Sequence, residues 1–468
     1  MLRLLYTKMT KATWAELIIM VLICCVCFYY VVSGSFIQWA SIPTAMCLFS
    51  LTFSVYLIVR DVLHPAFLMS GLWAATFGVY TICPIRVDQI EFKTELLIFF
   101  SILAFCITSL LRLNPMPRLF VPSPLSHSSA GKWCMVAYCT VLLPVFYHDI
   151  ARLAGDNSAL IASARIATVQ LMRAGENPYS NKLSSTSSTT MTFLIIALIV
   201  DRKRASSRSL LVFASLLTVA YSILTTGRQM FLQVLLGTAV AYLLPKGKLP
   251  FTSGVKKLSP VLATFVVIFI LMQLFAKFQS SENDNVGQYL KEQTIGYLVG
   301  GIPALDASIR HKVDPGNDVF GLFQQWGTAV GIPYDKRDPS PPYAEVPFPT
   351  NVYTALQPYY SLCGYAGPIL FFAILGLVYG YLYGASCRGP IGLFFYSVMV
   401  LPLFMTLFSD TYMSTLLLRD LQLCIFAFLY FGVLRRIPAV SLGLLTSKAQ
   451  SKTSKLNPAR FVYPGRSS

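Results

Sequence analysis

The sequence is poor in charged residues and lacks the motifs of common soluble enzymes. Only 12% of its 468 residues are charged, 55% are hydrophobic, and the mean hydropathy is +0.62. Too few polar side chains are present to cover a globule in water, so a soluble domain is excluded. No Walker loop, GxSxG or HExxH motif occurs. A DxD motif, which holds Mg²⁺ in nucleotide-sugar transferases, is also missing.

Metal-binding and disulfide patterns are absent too. The four histidines are widely scattered, and the eleven cysteines lie in or beside apolar segments. Neither a zinc-type cluster nor a disulfide framework is therefore expected. If the protein is an enzyme, we expect it to need no metal and no cofactor, and to stabilise its leaving group with cationic side chains.

Long apolar windows recur along nearly the whole chain, and each is about long enough to cross a bilayer. The predicted fold class is therefore all-α: a polytopic integral membrane helical bundle of about 12 transmembrane helices with two longer external loops. The predicted spans lie near 15–32, 36–59, 65–83, 94–111, 131–147, 188–200, 209–225, 229–244, 260–276, 367–384, 391–408 and 414–434.

Basic residues predict the orientation. If both termini are cytoplasmic, the cytoplasmic loops and tail collect most of the 37 basic residues and only three acidic ones, Glu16, Asp61 and Asp201. One topology then explains the whole net charge of +17, and no nucleic-acid partner is needed. The basic tail is expected to touch anionic membrane lipid.

This topology divides the chain into six parts. The transmembrane helices and the external (periplasmic) loops alternate, and the 148–187 loop is expected to contain a partly amphipathic helix. The parts are 1–147 (helices 1–5), 148–187 (external loop), 188–276 (helices 6–9), 277–366 (large external loop or cap), 367–434 (helices 10–12) and 435–468 (basic cytoplasmic tail).

Two arginines stand at or near the ends of predicted spans. Arg228 precedes the eighth span at its external end, at headgroup depth, where the free N–H groups of a helix start favour an anion. A guanidinium there can hold a phosphate or diphosphate with two hydrogen bonds, or it can simply snorkel to ordinary lipid phosphate. Arg419 lies one to two turns inside the last span and can bind substrate or form a structural pair with Asp410.

The external loops supply further cations and proton acceptors. Arg165, Arg173, Arg310 and Lys312 are the cations of these loops, and the three arginines are candidate substrate-binding residues. Asp306, His311, Asp314 and Glu345 are candidate general bases, and the sequence does not rank them. Each of these residues alone is more readily explained as a solvated loop charge.

Three stretches resemble the bacterial O-antigen polymerase (Wzy) family. TTGRQMFLQVLLG resembles the family's Gly-Arg turn before an apolar helix, and GGIPALDASIRH with VFGLFQQWG resembles the opening of its large external loop. PTNVYTALQPYYSLCGYAGPILFFAILGLVYGYLYG resembles the segment that re-enters the membrane. This last match adds Asn351, Tyr353 and Tyr360 to the substrate-binding candidates.

The resemblance implies a glycosyltransferase that polymerises undecaprenyl-diphosphate-linked oligosaccharides on the periplasmic face of the inner membrane, without a metal. It implies that Arg228 holds the lipid diphosphate, and that a Wzz-type chain-length regulator is a partner. Two alternatives remain. An O-antigen ligase would use the same donor, but the His of its His-Asn-x-Tyr segment is Thr350 here. A flippase for lipid-linked sugars is the other, although no internal repeat is visible.

Overall fold

The structure is a computed structural model. It describes residues 39–83, 87–111, 129–155, 163–164, 167–168, 170–171, 182–201, 208–224, 228–276, 294–313, 342–346, 349–409, 411–412 and 416–433. The amphipathic helix predicted in the 148–187 loop falls on a partly described stretch, in which 163–164, 167–168 and 170–171 are helical. The first predicted span (15–32) and the basic tail lie outside the described residues.

Helices make up nearly all of the described chain. Two short 3₁₀ turns, Trp39–Ser41 and Leu244–Lys246, adjoin them, and a π-helical segment, Phe428–Val433, continues the last one. The helices are α1 (Ile42–Val59), α2 (Pro65–Thr81), α3 (Phe92–Leu110), α4 (Ser129–Ala154), α5 (Lys182–Val200), α6 (Arg208–Leu224), α7 (Arg228–Leu243), α8 (Phe251–Ala276), α9 (Gly301–Ile309), α10 (Leu356–Cys363), α11 (Ala366–Ser386), α12 (Pro390–Met405) and α13 (Leu416–Ala427).

The helices agree with an all-α membrane protein. Every predicted span from the second to the twelfth overlaps one of them. Within the described residues, five helices are long and apolar enough to cross a membrane: Ile42–Val59, Phe92–Leu110, Lys132–Ala154, Phe251–Ile268 and Ala366–Ser386. Four shorter apolar helices accompany them. The count of about 12 spans stays a prediction.

Two helices extend beyond the apolar windows that predicted them. α4 continues to Ala154, past the predicted end at 147, and α8 begins at Phe251, nine residues before the predicted start. Hydropathy falls where charged residues such as Lys256 enter the sequence, but helical hydrogen bonding does not stop there. Long cationic side chains reach outward while their helix continues. Each helix also contains a proline, which membrane helices tolerate.

α11 packs closely against α3 through glycines. A Cβ placed on Gly376 would come within 2.4 Å of the Phe105 carbonyl oxygen, and one on Gly380 within 2.7 Å of the Ser109 carbonyl oxygen. These residues are four apart, so they share one face of α11. Small residues at this spacing let two helix backbones approach in a membrane, where packing replaces the hydrophobic effect.

Polar side chains are buried at one end of the bundle around Asp61. This fully buried carboxylate accepts hydrogen bonds from the backbone N–H of Leu63 (3.2 Å) and Leu249 (3.1 Å) and from the Tyr383 hydroxyl (2.5 Å). Lys132 and Asp201 form an ion pair between the start of α4 and the end of α5. By the charge-based topology, these contacts lie at the cytoplasmic end.

A second group of buried polar residues lies at the other end of α1. Thr44 is near its start and Asp61 just beyond its end, so the two groups are separated by about 26 Å at 1.5 Å per residue. That distance is close to the thickness of the hydrocarbon core of a bilayer, about 30 Å. Large apolar side chains such as Phe100, Ile107, Leu370 and Ile374 are exposed between them, as expected for a surface that faces lipid.

Candidate functional site

The start of α3 and helix α9 meet around Asp306 at the end of the bundle that the charge-based topology predicts to be external, called the outer end below. Its carboxylate is completely buried. One oxygen accepts hydrogen bonds from the Glu91 backbone N–H (2.9 Å) and the Thr94 hydroxyl (2.6 Å), both at the start of α3. The other oxygen is 2.7 Å from Nη2 of Arg310. Asp306 thus satisfies free donors at a helix start and neutralises a cation.

Glu95 is a buried carboxylate that we did not single out from the sequence. It is 2% exposed and accepts hydrogen bonds from the hydroxyls of Ser41 and Thr44, both at 2.5 Å. The signal was an acidic residue in the first turn of an otherwise apolar helix, but its partners are more than fifty residues away along the chain.

Arg310 and His311 follow directly after α9 and are held by its C-terminal cap. The His311 N–H donates to the Ser308 carbonyl (3.0 Å) and the Lys312 N–H to the Ala307 carbonyl (2.9 Å), which is the Schellman pattern. His311 has a φ of +55° and an exposed side chain. The Arg310 side chain is 28% exposed. Its Nη2 is 2.7 Å from Asp306, and its buried Nε is 4.0 Å from the Glu91 carboxylate.

Tyr353 and Asn351 lie in the cap over the bundle. Tyr353 is 5% exposed, packs with Ala304 and Ala307 of α9, and donates a hydrogen bond to the Pro342 carbonyl (3.0 Å). Burial raises the pKa of its phenol to about 12, so it is neutral in ordinary conditions. Asn351 is half-buried and follows the hairpin in which Ala344–Glu345 pairs with Pro349–Thr350.

The segment after the hairpin enters the bundle. The Ala355 N–H donates to the carbonyl of Thr406, just beyond α12 (2.8 Å), and the Thr406 hydroxyl accepts from the Trp73 indole (3.2 Å). Trp73 is eight residues before the end of α2, so the outer end of α12 lies about 12 Å inside the outer end of α2. Tyr360, half-buried on α10, packs edge-on against Tyr365 near the rim.

The two arginine-bearing helices both start at this recessed level. Gln233 of α7 donates to the Val398 carbonyl of α12 (3.3 Å), and Phe426 of α13 stacks on Phe394 of α12 at 5.6 Å. Arg228 is five residues before Gln233, and Arg419 is seven before Phe426. At about 1.5 Å per residue their backbones lie within about 3 Å of the same depth along α12.

That depth differs from the headgroup level expected for Arg228. The shared level is about 15 Å inside the outer end of α2, estimated from the helical rise. Tyr412, just before α13, hydrogen-bonds Tyr379, thirteen residues into α11, which agrees with a deep start for α13. Charged residues at such depth face a partner or a wet cavity more often than lipid. The outer ends of α7, α12 and α13 are called the arginine floor below.

Part of this chain is similar to an O-antigen polymerase. A segment of 142 residues is 28% identical to a protein of that name from Shigella dysenteriae. The segment makes up 30% of this chain and spans only 37% of the relative. No protein-family model matches the chain, and no solved structure does. With the apolar helices, this similarity suggests a multi-pass bacterial membrane protein, and it points only weakly to the polymerase family.

The structure groups some predicted site residues and leaves others apart. Asp306, Arg310 and His311 lie together near the end of α9, whereas the backbones of Arg228 and Arg419 lie at the arginine floor. Arg165, Arg173 and Asp314 lie outside the described residues, as does Asp410. Among the residues described, no three His, Cys, Asp or Glu side chains are grouped so that they could hold a metal ion.

Proposed function

We propose that the protein is a membrane-embedded glycosyltransferase that polymerises undecaprenyl-diphosphate-linked oligosaccharide units into a surface polysaccharide such as O-antigen. The partial similarity to an O-antigen polymerase supports this reaction class. The observation that carries the proposal is that α7 and α13, each with an arginine in its first turn, both pack against α12 and start at about one depth along it. We propose that the two helix starts and their arginines face one recessed site.

The arginine floor suits a lipid diphosphate. The N–H groups of a helix start and its partial positive charge favour an anion, and guanidinium groups bind phosphate oxygens in pairs. Negative charge grows on the diphosphate oxygens as the glycosyl bond breaks. Cations held in advance in a partly dry site stabilise this charge more than water does. This chemistry needs no metal, and we propose that Arg228 and Arg419 supply the charge.

The cap residues would hold the sugars. We propose the partly exposed Arg310 and the half-buried Asn351 and Tyr360 as sugar contacts, and the buried Tyr353 as a residue that positions the segment leading to α10. Arg165 and Arg173 remain proposed contacts of the same substrate. We place the reaction on the periplasmic face of the inner membrane, with both termini cytoplasmic and a Wzz-type regulator as partner.

Purified protein with a defined lipid-linked repeat unit tests the proposal. We expect a ladder of products on a gel, unchanged by EDTA. Transfer to a different acceptor without a ladder would favour a ligase. Movement of the intact lipid across vesicles without any new glycosidic bond would favour a flippase, and a ladder abolished by EDTA would contradict the metal-free chemistry.

A further inference from the structure

Helices α5 and α13 are in direct contact, and both run inward from the outer end. The ring of Phe193 on α5 lies 5.8 Å from the ring of Phe426 on α13, and both side chains are buried. In each helix, the residues four and seven positions before the phenylalanine lie on the same face as it does. Because the two helices run in the same direction, these positions remain opposite each other one and two turns farther out.

The contact between these helices becomes polar toward the outside. One turn beyond the phenylalanines, Thr189 of α5 lies opposite Gln422 of α13, and two turns beyond them Thr186 lies opposite the backbone of Arg419. Thr186, Thr189 and Gln422 are half-buried, whereas the two phenylalanines are buried. The boundary is thus closed by an aromatic layer and opens above it into a polar gap, called the α5–α13 gap below.

The start of α7 reaches the same depth. A Cβ on Gly237 of α7 would lie 2.5 Å from Cδ1 of Ile196 on α5, so the two helices touch there. Arg228 is nine residues before Gly237, and Ser187 is nine residues before Ile196. By helical rise, the backbones of both arginines therefore lie within about 3 Å of the level of Thr186 on α5. The gap opens at the arginine floor.

The outer part of α5 is rich in hydroxyl groups. Residues 184–190 read SSTSSTT, and the helix is apolar from 193 to 200. Serine and threonine are poor helix formers, and hydroxyls without partners are costly in hydrocarbon. The Thr186 hydroxyl lies 3.3 Å from the Tyr138 hydroxyl of α4, so part of the run joins helices. On the face toward α13, the hydroxyls fit a polar occupant better than a lipid tail.

A diphosphate at the level of Arg419 is within reach of both side chains. Gln422 is three residues after Arg419, a spacing at which Cβ atoms on a helix surface are about 5–6 Å apart. Helical side chains lean toward the N-terminus, so Gln422 leans toward the turn of Arg419, and Thr189 leans toward Thr186. The Gln422 amide and the Thr189 hydroxyl are both hydrogen-bond donors. They form the inner wall of a site whose cation is one turn farther out.

We propose that Thr189 and Gln422 bind the diphosphate of the lipid-linked substrate in the α5–α13 gap, an inference that rests on the proposed function. The Thr189 hydroxyl and the Gln422 amide each donate a hydrogen bond to a phosphate oxygen from the inner side. Arg419 supplies the positive charge, so it is a substrate contact and not half of a structural pair with Asp410. The same donors stabilise the leaving group as its negative charge grows.

Binding of undecaprenyl diphosphate to the purified protein in detergent tests this inference without the polymerisation reaction. We expect Thr189→Val and Gln422→Leu each to raise the dissociation constant by about 10-fold, because each removes a hydrogen bond to a charged group. Thr189→Ser keeps a hydroxyl and should bind as the wild type does. Phosphatidylglycerol, added as a competitor, should not displace the diphosphate.

Thr192→Val is the matched control. It makes the same substitution on the same helix, but the Thr192 hydroxyl donates to the Ser188 carbonyl (3.0 Å), and the residue is buried at the depth of the aromatic layer. We expect its dissociation constant to be unchanged. The thermal unfolding midpoint without ligand, measured for every variant, detects the alternative in which Thr189 and Gln422 only join the two helices.

Four results would overturn the inference. They are unchanged binding in either Thr189→Val or Gln422→Leu, a lowered unfolding midpoint with unchanged binding in both, equally weakened binding in Thr192→Val, and displacement of the diphosphate by phosphatidylglycerol. Failure of the proposed function gives a different result. The wild-type protein would then bind undecaprenyl diphosphate, and the two variants would bind it more weakly, but no ladder would form from the lipid-linked unit.

Discussion

Asp306 receives two hydrogen bonds from the first turn of α3 and an ion pair from Arg310. Because all three partners converge on one buried carboxylate, the end of α9 is fastened to the start of α3. This arrangement makes Asp306 a positioning residue for Arg310, while His311 next to it is exposed. Asp306 and His311, five residues apart, thus differ in exposure because only the carboxylate is enclosed.

At this scale, Asp306→Asn should destabilise the protein. The change removes the nearer counter-charge of Arg310 and leaves only the Glu91 carboxylate, 4.0 Å from Nε. We expect a loss of about 1–3 kcal/mol, less than for a fully enclosed pair because Arg310 is partly solvated. Thermal unfolding in detergent measures it. Asp306→Asn/Arg310→Gln should recover much of the loss, and Asp88→Asn, at an exposed site, should cause none. Unchanged stability with abolished polymerisation would instead identify Asp306 as the base.

Arg228 provides the second prediction at the residue scale. If Arg228 binds a diphosphate through two hydrogen bonds, the Arg228→Lys variant should lose most of its activity. Lysine keeps the charge but cannot form the same pair of hydrogen bonds. Arg228→Ala should slow polymerisation by about 10² to 10³-fold and leave single-unit product, with the protein still inserted. Ladder length on a gel is the measurement. Arg388→Lys, at the cytoplasmic end, serves as the control. An arginine that merely snorkels would tolerate lysine with an unchanged ladder.

At the scale of elements, the close packing of α11 against α3 depends on glycines, because a larger side chain would fill the space between the two helices. A methyl group on Gly376 would overlap the Phe105 carbonyl and the Thr108 hydroxyl, whereas one on Gly384 meets nothing within 4 Å. The same helix therefore contains a glycine that touches its neighbour and one that does not. Close packing at Gly376 and Gly380 holds α11, and through Tyr379 it also holds the segment before α13.

Gly376→Ala should be costly and Gly384→Ala should not. The first forces two helices apart, and overpacking of this kind costs about 1–3 kcal/mol. The second adds a methyl group in open space and improves helix propensity. The thermal unfolding midpoint and the yield of folded protein in detergent compare the two. Equal effects of both substitutions would show that the α3–α11 approach is looser than described.

For the whole molecule, the two buried polar groups lie about a membrane thickness apart, at about 26 Å from the helical rise. One group joins the loop after α1 to Leu249 and Tyr383, and the other joins the starts of α1 and α3 to α9. Each end is thus held by hydrogen bonds between segments that are far apart in the chain.

Reporter fusions test this arrangement. A phosphatase that works only outside the cytoplasm should be active when fused after Lys312 and inactive when fused after Gly247. A fusion within residues 225–227 should be active, because they precede the outer end of α7. Cytosolic placement of these residues would remove Arg228 from any periplasmic chemistry.

Local composition by itself determined the class of the protein. Apolar windows predicted where helices lie, because helix formation in a membrane satisfies backbone groups within one segment. The windows missed how far α4 and α8 extend. Hydropathy depends on the side chains, whereas a helix continues as long as its backbone hydrogen bonds do. The sequence also indicated Asp306, Arg310 and His311 as candidate site residues, but it did not rank them.

Only the tertiary structure decided which of these residues is enclosed and which is exposed. Asp306 and Thr94 are 212 positions apart in the chain, and Glu95 finds its partners on α1. The recessed level of α7 and α13 likewise depends on how both pack against α12. Such contacts join distant segments, and a carboxylate becomes structural or reactive according to what surrounds it after folding. No local pattern contains that information.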